Sequence, residues 1–294
     1  MYIQLLSWNT NFCGNCIGKS LSNPNDMSVI KKWSDFTVKL IQEDYDFILL
    51  QETNPFFALL MQEKEPYSPN PNYCDDKKCG PKYLKYGNKN IYYHGLSKVL
   101  TEERPNDLFW GTAIITKEKT KNIKTYFYDE KNEYTGSDYF GYESVMFYDF
   151  QLENDVIVTI INFYKKGDAC KAKYVNGKCI NYDVVYRYDD NFFEDIHEIN
   201  NKNNIIIFAG DFNLAKKGND EYDNGGIIQR IEDFNFINKT KDIGKTMSYD
   251  NQNDYLFVNS KFSDNINISN VRKILPPYFP DFIDHFKIEC KIKI

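Results

Sequence analysis

Short apolar runs that stop abruptly at acidic or amide side chains recur from one end of this chain to the other. Residues 2–9 end in this way at Asn9, residues 46–52 end at Glu52, and residues 204–213 run into Gly-Asp-Phe-Asn. Runs of this length are typical of buried strands, whose side chains point alternately to the two faces of a sheet. The sequence therefore predicts a sheet protein in which polar side chains gather where strands end.

The same patterns place further strands and helices along the chain. We predict strands at residues 110–116, 123–128, 143–152, 156–164, 255–258 and 285–294, with a hairpin turn at 153–155. Helical periodicity predicts one amphipathic helix that carries Val29 to Ile41, a second that carries Val184 to Ile199, and a short helix at 227–234. This mixture of strands, helices and hairpins predicts a layered α/β protein with a mainly antiparallel or mixed sheet.

Nothing in the sequence resembles a linker between independent domains, so we expect residues 1–294 to form one domain. The stretch at about 63–95 turns polar, is rich in Pro, Asn and Lys, and shows no clear period. It predicts an irregular insertion. A basic loop that contains cysteines is expected at 165–181. We expect these two segments to control the access of a substrate.

Charge and composition limit the kinds of partner. The 294 residues are 42% hydrophobic, which is enough for a large core, and they carry a formal net charge of −6. A protein that coats duplex DNA needs many Lys and Arg contacts to phosphate, so this charge argues against one. The N-terminus lacks the features of a signal peptide, and no apolar run is long enough to span a bilayer. We therefore expect a cytoplasmic protein without a membrane partner, or one that is exported by another route, and the sequence leaves its oligomeric state open.

The sequence contains 7 cysteines, an odd number, so a scheme of disulfides within the chain leaves at least one thiol unpaired. Most of them look like local pairs: Cys13 with Cys16, Cys74 with Cys79, and Cys170 with Cys179. We rank free thiols first, disulfides within loops second and a zinc site third, because no set of four ligands has matched spacing.

The polar groups near the predicted strand ends suit a metal ion. They are Asn9, Glu52, Asp211, Asn213, Asp254, Asp284 and His285. Each alone is more often a turn former or a helix cap than a ligand, but their joint occurrence in this order favours a site. Oxygen ligands of this kind suit Mg²⁺, for which Mn²⁺ is a possible substitute. The chemistry that such a site supports is metal-assisted phosphoryl transfer to water.

Seven stretches that run from the first strand to the last resemble the endonuclease/exonuclease/phosphatase superfamily. They are Leu6-Ser-Trp-Asn9, Ile48-Leu-Leu-Gln-Glu-Thr53, Trp110-Gly-Thr-Ala-Ile-Ile115, Ile161-Asn-Phe-Tyr164, Ala209-Gly-Asp-Phe-Asn213, Asp254-Tyr-Leu-Phe-Val258 and Asp284-His285. The resemblance implies a four-layer α/β sandwich, in which two packed, mostly antiparallel or mixed β-sheets are flanked by helices and the site lies at one edge. Its motifs are closest to the branch that repairs abasic sites in DNA.

The resemblance also implies which positions hold the metal. Glu52 would be the main Mg²⁺ ligand, with Asn9 beside it and Asp284 near the metal or its waters. The residue before Asp284 is Ile283, where relatives often have Ser. This departure weakens the expected hydrogen-bond support of the Asp284-His285 pair.

Catalytic roles follow from the resemblance in the same way. Asp211 resembles the residue that orients or deprotonates the attacking water, and Asn213 resembles the one that holds the scissile phosphate. Asp254 would pair with His285, which fixes the tautomer of the ring and keeps it positive enough to stabilise the transition state. Tyr164 stands where many relatives have His and the DNA repair branch has Tyr. Its phenol could assist the leaving oxygen, or Tyr164 could simply pack its ring at the strand end.

Substrate contacts are expected from Asn162, Lys165 and Lys166, which lie at and just after the end of a predicted strand. We expect a Mg²⁺-dependent hydrolase of phosphodiester bonds whose substrate is DNA or RNA. Two alternatives stay open. The same chemistry could act on a small phosphorylated molecule such as a nucleotide or a phosphoinositide, which the negative net charge favours somewhat. The chain could also be a binding module that kept the fold and lost catalysis.

Overall fold

The structure of the chain is a computed structural model that describes most of the predicted strands and helices. The described residues are 2–10, 28–62, 82–95, 111–117, 122–129, 142–152, 155–165, 170–175, 178–184, 190–202, 204–212, 216–217, 220–221, 227–246, 252–262, 267–274, 285 and 287–293. Four of the cysteines of the predicted pairs, Cys13, Cys16, Cys74 and Cys79, lie outside this part of the chain, and of Cys170 and Cys179 only the backbone is described. Cys290 is a buried free thiol.

Seven strands form the first sheet, called sheet A. In spatial order they are β16 (Asn267–Ile274), β17 (Lys287–Lys293), β1 (Tyr2–Asn9), β2 (Phe47–Gln51), β5 (Gly111–Thr116), β4 (Lys89–Gly95) and β3 (Lys82–Tyr86). β1 and β2 are parallel, with Asn9 beside Gln51, and the other neighbouring pairs are antiparallel. Both parallel strands therefore end at the same edge of the sheet.

Six strands form the second sheet, called sheet B. In spatial order they are β14 (Phe236–Asn238), β15 (Asp254–Asn259), β11 (Ile205–Asp211), β8 (Ile157–Lys165), β7 (Tyr142–Gln151) and β6 (Asn122–Asp129). This sheet also contains one parallel pair, because β8 and β11 run together with Tyr164 beside Asp211. The remaining neighbours are antiparallel. In each sheet, the C-terminal ends of the two parallel strands therefore lie side by side.

Helices cover the outer faces of both sheets. α1 (Ser28–Gln42) and α2 (Pro55–Gln62) pack on sheet A, while α3 (Asp190–Asn201) and α4 (Ile227–Asp233) pack on sheet B. A third apolar cluster, which includes Leu49, Ile160 and Ala209, fills the space between the sheets. Three apolar layers between four layers of secondary structure confirm the predicted four-layer α/β sandwich.

The alternation of side chains along the strands carries polar groups to the end of the core between the sheets. Leu49 of β2 belongs to that core, and Gln51 follows it two residues later on the same face. Ala209 and Asp211 are related in the same way on β11. The strand ends therefore place buried polar side chains directly beyond the apolar interior.

A hairpin of β3 and β4 occupies residues 82–95, where the sequence predicted an irregular insertion. The rest of that predicted insertion, residues 63–81, lies outside the described part of the chain. The turn is Gly87-Asn88, and Gly87 has a φ of 59°, which glycine adopts at little cost. Gly-Asn between two runs that contain aromatic and apolar residues is a hairpin signal. The local sequence therefore held evidence for this hairpin.

Other elements also differ from the sequence-based expectation. The expected loop at 165–181 contains β9 (Cys170–Val175) and part of β10 (Lys178–Val184), which pair antiparallel. Val184, where a helix was expected to begin, lies in β10, and the helix spans Asp190–Asn201 among the described residues. Two short strands, β12 (Lys216–Lys217) and β13 (Asp220–Glu221), pair antiparallel, and a 3₁₀ helix spans Ser260–Phe262. β14 and β16 were not predicted, because both are edge strands and their mixture of polar residues gives little periodic signal.

Within the described ranges, no helix has the length and apolar character that a membrane span requires.

A buried histidine is expected to make the fold sensitive to acid. His94, in β4, is 4% exposed, and burial lowers the pKa of its imidazole from 6.5 to about 3. Between these values the unfolded chain binds a proton that the folded chain does not. The free energy of unfolding should therefore fall as the pH is lowered, by up to about 1.4 kcal/mol per pH unit.

Urea unfolding at several pH values between 6.5 and 3 measures this slope. His94→Gln should make the slope shallower, since it removes the titrating group. Equal slopes for the two proteins would contradict the prediction.

Candidate active site

Polar residues from both sheets meet at the edge where the parallel strands end. Asn9 and Gln51 end β1 and β2, and Asp211 ends β11. Because β15 runs antiparallel to β11, its first residue, Asp254, lies beside Asp211. His285 stands just before β17 and contacts Asp254. The structure thus brings together side chains from the first strand to the last.

Asn9 links the two sheets at this edge. Its Nδ2 donates to Asp211 Oδ2 at 2.6 Å and to Glu52 Oε1 at 3.3 Å. Glu52 Oε1 also accepts a hydrogen bond from Tyr164 Oη at 2.8 Å. Glu52 has a φ of 46°, a left-handed conformation that is uncommon outside glycine and often found at functional sites. Asn9 and Asp211 are fully buried, whereas Glu52 is partly exposed.

Tyr164 is a hydrogen-bond donor in this cluster. Its burial, together with the negative charges of Glu52 and Asp211 and the hydrogen bond to Glu52, raises the pKa of the phenol well above its usual value of 10.0. The phenol therefore stays protonated near neutral pH. Its O–H donates to Glu52 Oε1, and the phenol adds no negative charge to those of Glu52 and Asp211.

His285 is held from three sides. Its Nδ1 lies 2.9 Å from Asp254 Oδ2, and its Nε2 lies 3.9 Å from Asp211 Oδ2. The indole Nε1 of Trp8 donates to the carbonyl oxygen of His285 at 3.2 Å. Asp254 is itself held in place, because its backbone N–H donates to Thr246 Oγ1 at 3.0 Å. The Asp254 carboxylate is an acceptor for an Nδ1–H of the ring, and it orients the ring so that Nε2 faces Asp211.

A glycine allows Asp211 to lie this close to β8. Gly210 pairs with Phe163 and has a φ of 154°. A Cβ at Gly210 would lie 1.8 Å from the carbonyl oxygen of Phe163, far inside van der Waals contact. The Gly-Asp sequence therefore combines a close approach of two strands with the carboxylate that follows.

Among the residues that the structure describes, two groups could hold a metal ion. Asp211, Asp254 and His285 each offer one ligand atom, and these atoms lie within 4.8 Å of one another. That group is buried and includes an imidazole, which hard cations such as Mg²⁺ bind less readily than oxygen. Glu52 offers a partly exposed carboxylate beside the amide of Asn9. The oxygen donors at Glu52 therefore fit Mg²⁺ better, and the group with His285 would suit a softer divalent ion.

Not all of the predicted site residues can be placed. Asn213, Asp284 and Lys166 lie outside the described residues, and only the backbone of Lys165 is described. Asn162, expected to contact substrate, has no exposed surface, and its amide is hydrogen-bonded to groups of sheet A. The structure gives this side chain a place between the sheets, which differs from the expected substrate contact.

Two contacts that hold the site were not foreseen from the sequence. The indole of the buried Trp8 anchors the backbone of His285 across a separation of 277 residues. Thr246 accepts the backbone N–H of Asp254 and was not singled out. Local patterns carry no signal for either contact, because each depends on which segments become neighbours in three dimensions.

Comparison with solved structures shows neighbours that match over nearly the whole chain. A protein of the endonuclease/exonuclease/phosphatase family from Leptotrichia buccalis is 16% identical, with a TM-score of 0.53 and coverage of 99% of this chain and 100% of that chain. The human Nocturnin catalytic domain, solved with a bound sulfate anion, is 12% identical, with a TM-score of 0.58 and coverage of 99% and 93%. The 3'-5' exonuclease NExo from Neisseria meningitidis is 12% identical, with a TM-score of 0.50 and coverage of 99% and 100%.

No protein-family model matches the sequence, and no curated protein matches it either. The likeness to solved structures therefore concerns the arrangement of strands and helices. That arrangement agrees in layers with the sandwich expected from the sequence motifs, and it gives no preference for the abasic-site repair branch. The chain has the fold of the endonuclease/exonuclease/phosphatase proteins.

Proposed function

We propose that this protein hydrolyses phosphodiester bonds with the help of a divalent metal ion, and that its substrate is a nucleic acid. The observation that carries the proposal is the meeting of two functional units at one edge of the sandwich. One unit is Glu52 with Asn9 and Tyr164, and the other is Asp211 with the Asp254–His285 pair. The first offers oxygen ligands and a phenol donor, and the second offers a carboxylate and an oriented imidazole.

Glu52 and Asn9, together with Asp284, would hold the metal ion, preferably Mg²⁺ or Mn²⁺. When bound, such an ion offsets the negative charge of the phosphate and lowers the pKa of a water molecule. The partly exposed position of Glu52 supports this assignment, because an ion that keeps several of its waters needs room for them.

The remaining residues would manage protons and charge. Asp211 accepts a proton from the attacking water, since its carboxylate is fixed by Asn9 and lies at the end of a rigid strand. His285, oriented by Asp254, stabilises the negative charge that grows on the phosphate. Tyr164 keeps its proton and can donate toward the leaving oxygen. Asn213 would hold the scissile phosphate.

The choice of a nucleic acid as substrate is supported by one neighbour and by local charge. NExo, which shares the fold, is a 3'-5' exonuclease. Lys165 and Lys166 follow Tyr164 directly in the sequence, where they could contact phosphates on either side of the cleaved bond. The overall charge of −6 favours a second candidate, a small phosphorylated molecule, because such a substrate needs no long basic surface.

A substrate panel tests the proposal directly. Purified protein is incubated with single-stranded, double-stranded and abasic DNA, with RNA, and with an aryl phosphodiester, in Mg²⁺, in Mn²⁺ and in EDTA. We expect cleavage of at least one polynucleotide with either metal ion, no cleavage in EDTA, and recovery when the metal ion is restored.

The other outcomes separate the alternatives. Hydrolysis of the aryl ester without cleavage of any polynucleotide would favour the small substrate. Metal-dependent binding of nucleic acid without turnover, measured by calorimetry, would favour a binding module. Activity that persists in EDTA would contradict the need for a metal ion.

A further inference from the structure

Two buried amide side chains join the sheets directly behind the candidate site. Gln51 ends β2 in sheet A, and Asn162 lies in β8 of sheet B; neither has any exposed surface. Gln51 Nε2 donates to Asn162 Oδ1 at 2.7 Å. Such a contact between amides is a specific link in a space that is otherwise filled by apolar side chains.

The orientation of both amides is fixed by their partners. Asn162 Nδ2 donates to the carbonyl oxygen of Leu50 at 3.1 Å and to that of Ala113 at 2.8 Å. Only the nitrogen of an amide can donate, so the oxygen of Asn162 must face Gln51, and Gln51 must present its nitrogen in return. Asn162 is thereby tied to three residues of sheet A.

This link belongs to a closed ring of contacts that includes the site. Gln51 is followed in the chain by Glu52, and Asn162 lies two residues before Tyr164 on the same face of β8. The hydrogen bond from Tyr164 to Glu52, at 2.8 Å, completes the ring. The separation of these two functional groups is therefore set by the amide pair immediately behind them.

The ring leaves one polar atom unsatisfied. Gln51 Oε1 is buried and has no hydrogen-bond partner among the described residues, an arrangement that costs free energy. Apolar side chains of similar shape would hold two sheets together without that cost. A buried polar pair that keeps one unsatisfied oxygen, where apolar side chains would also pack, points to a role beyond packing.

We propose that Gln51 and Asn162 are positioning residues, which hold Glu52 and Tyr164 at the separation that catalysis requires. The inference rests on the proposed hydrolysis of phosphodiesters for its kinetic test, and on geometry alone for its structural test. The geometry predicts that loss of the pair lowers turnover with little effect on the affinity for substrate.

Gln51→Met is the most informative variant, because its side chain has nearly the same shape. The substitution removes the unsatisfied oxygen of Gln51, which favours stability, but it leaves Oδ1 of Asn162 without its donor, which lowers stability. Because these two effects oppose each other, the melting temperature should stay close to that of the wild type. We expect kcat to fall about 10- to 100-fold while KM changes little, since small misplacements of reacting groups have effects of this size. A kcat within about twofold of the wild type would overturn the inference.

A second comparison separates positioning from general destabilisation. Asn162→Leu removes the amide pair. Asn259→Leu is the comparison, because Asn259 is also a fully buried amide but lies at the end of β15 opposite Asp254, where it is hydrogen-bonded to the backbone of Ile206 and Asn204. Both variants should lose stability, but only Asn162→Leu should lose kcat beyond its fraction of unfolded protein. An equal loss of kcat in both would contradict a positioning role.

The crystal structure of Gln51→Met gives a readout that does not depend on turnover. We expect the hydrogen bond between Tyr164 and Glu52 to be lengthened or lost, and its retention at the wild-type distance would overturn the inference. If the wild-type protein cleaves no phosphodiester, the proposed function fails, but this structural comparison still decides whether the amide pair sets the geometry.

Discussion

Asp211→Asn is expected to lower the turnover of phosphodiesters by about 10²- to 10⁴-fold, the range observed when a general base is removed. The amide has the same shape as the carboxylate, and its oxygen can still accept the hydrogen bond from Asn9, which is 2.6 Å long in the wild type. The fold should therefore be kept. What disappears is the negative charge that faces Nε2 of His285 and the capacity to accept a proton from water.

Rates measured with a polynucleotide and with an aryl phosphodiester check this prediction, and circular dichroism confirms the fold. Asp149→Asn is the matched control, because Asp149 is also a hydrogen-bonded carboxylate of sheet B but pairs with Thr159 near the start of β8, away from Tyr164. The control should keep wild-type activity. Full activity in Asp211→Asn would remove the role proposed for this carboxylate.

Gly210→Ala is expected to cause a large fall in the free energy of unfolding. The added Cβ would lie 1.8 Å from the carbonyl oxygen of Phe163 and 2.7 Å from its carbonyl carbon, so backbone atoms of β8 or β11 must move. Overpacking and an unfavourable φ each cost about 1–3 kcal/mol. For a chain of this size we expect a fall of about 10 °C in melting temperature.

Thermal unfolding followed by circular dichroism measures this effect. Gly87→Ala is the matched control, since Gly87 also has a positive φ, 59°, but a Cβ there would meet no atom within 4 Å. The control should cost about 1 kcal/mol. If Gly210→Ala melted no lower than the control, the close approach of the two strands would not be the reason for glycine at this position. Because Asp211 follows directly, activity should fall together with stability.

The sequence held enough information to predict the layers and the central strands of both sheets. β1, β2, β8 and β11 each contain a compact apolar run, and such runs depend only on local composition. The polar groups that end them could be named for the same reason. Their joint occurrence favours a single site, whereas the role of each residue could be assigned only through the resemblance to a known superfamily.

Other features could not be predicted, because they depend on contacts between distant segments. The pairing of Gln51 with Asn162 joins residues 111 positions apart, and nothing in either segment indicates the other. The position of Asn162 near the end of a predicted strand indicates a substrate contact, whereas its burial between the sheets follows from the packing of two layers. The hairpin at 82–95 is a different case, since its Gly-Asn turn was visible in the sequence.

The alternation of side chains along the central strands has a consequence for how this protein can vary. Leu49 and Ala209 of the inner core stand two residues before Gln51 and Asp211 on the same strands and the same face. A change in the volume of these apolar side chains would alter the spacing of the sheets and hence the alignment of the two halves of the site. At this end of the sandwich, substitutions in the core therefore also change the geometry of the candidate site, and the size of the core side chains should be more tightly restricted there than at the opposite end.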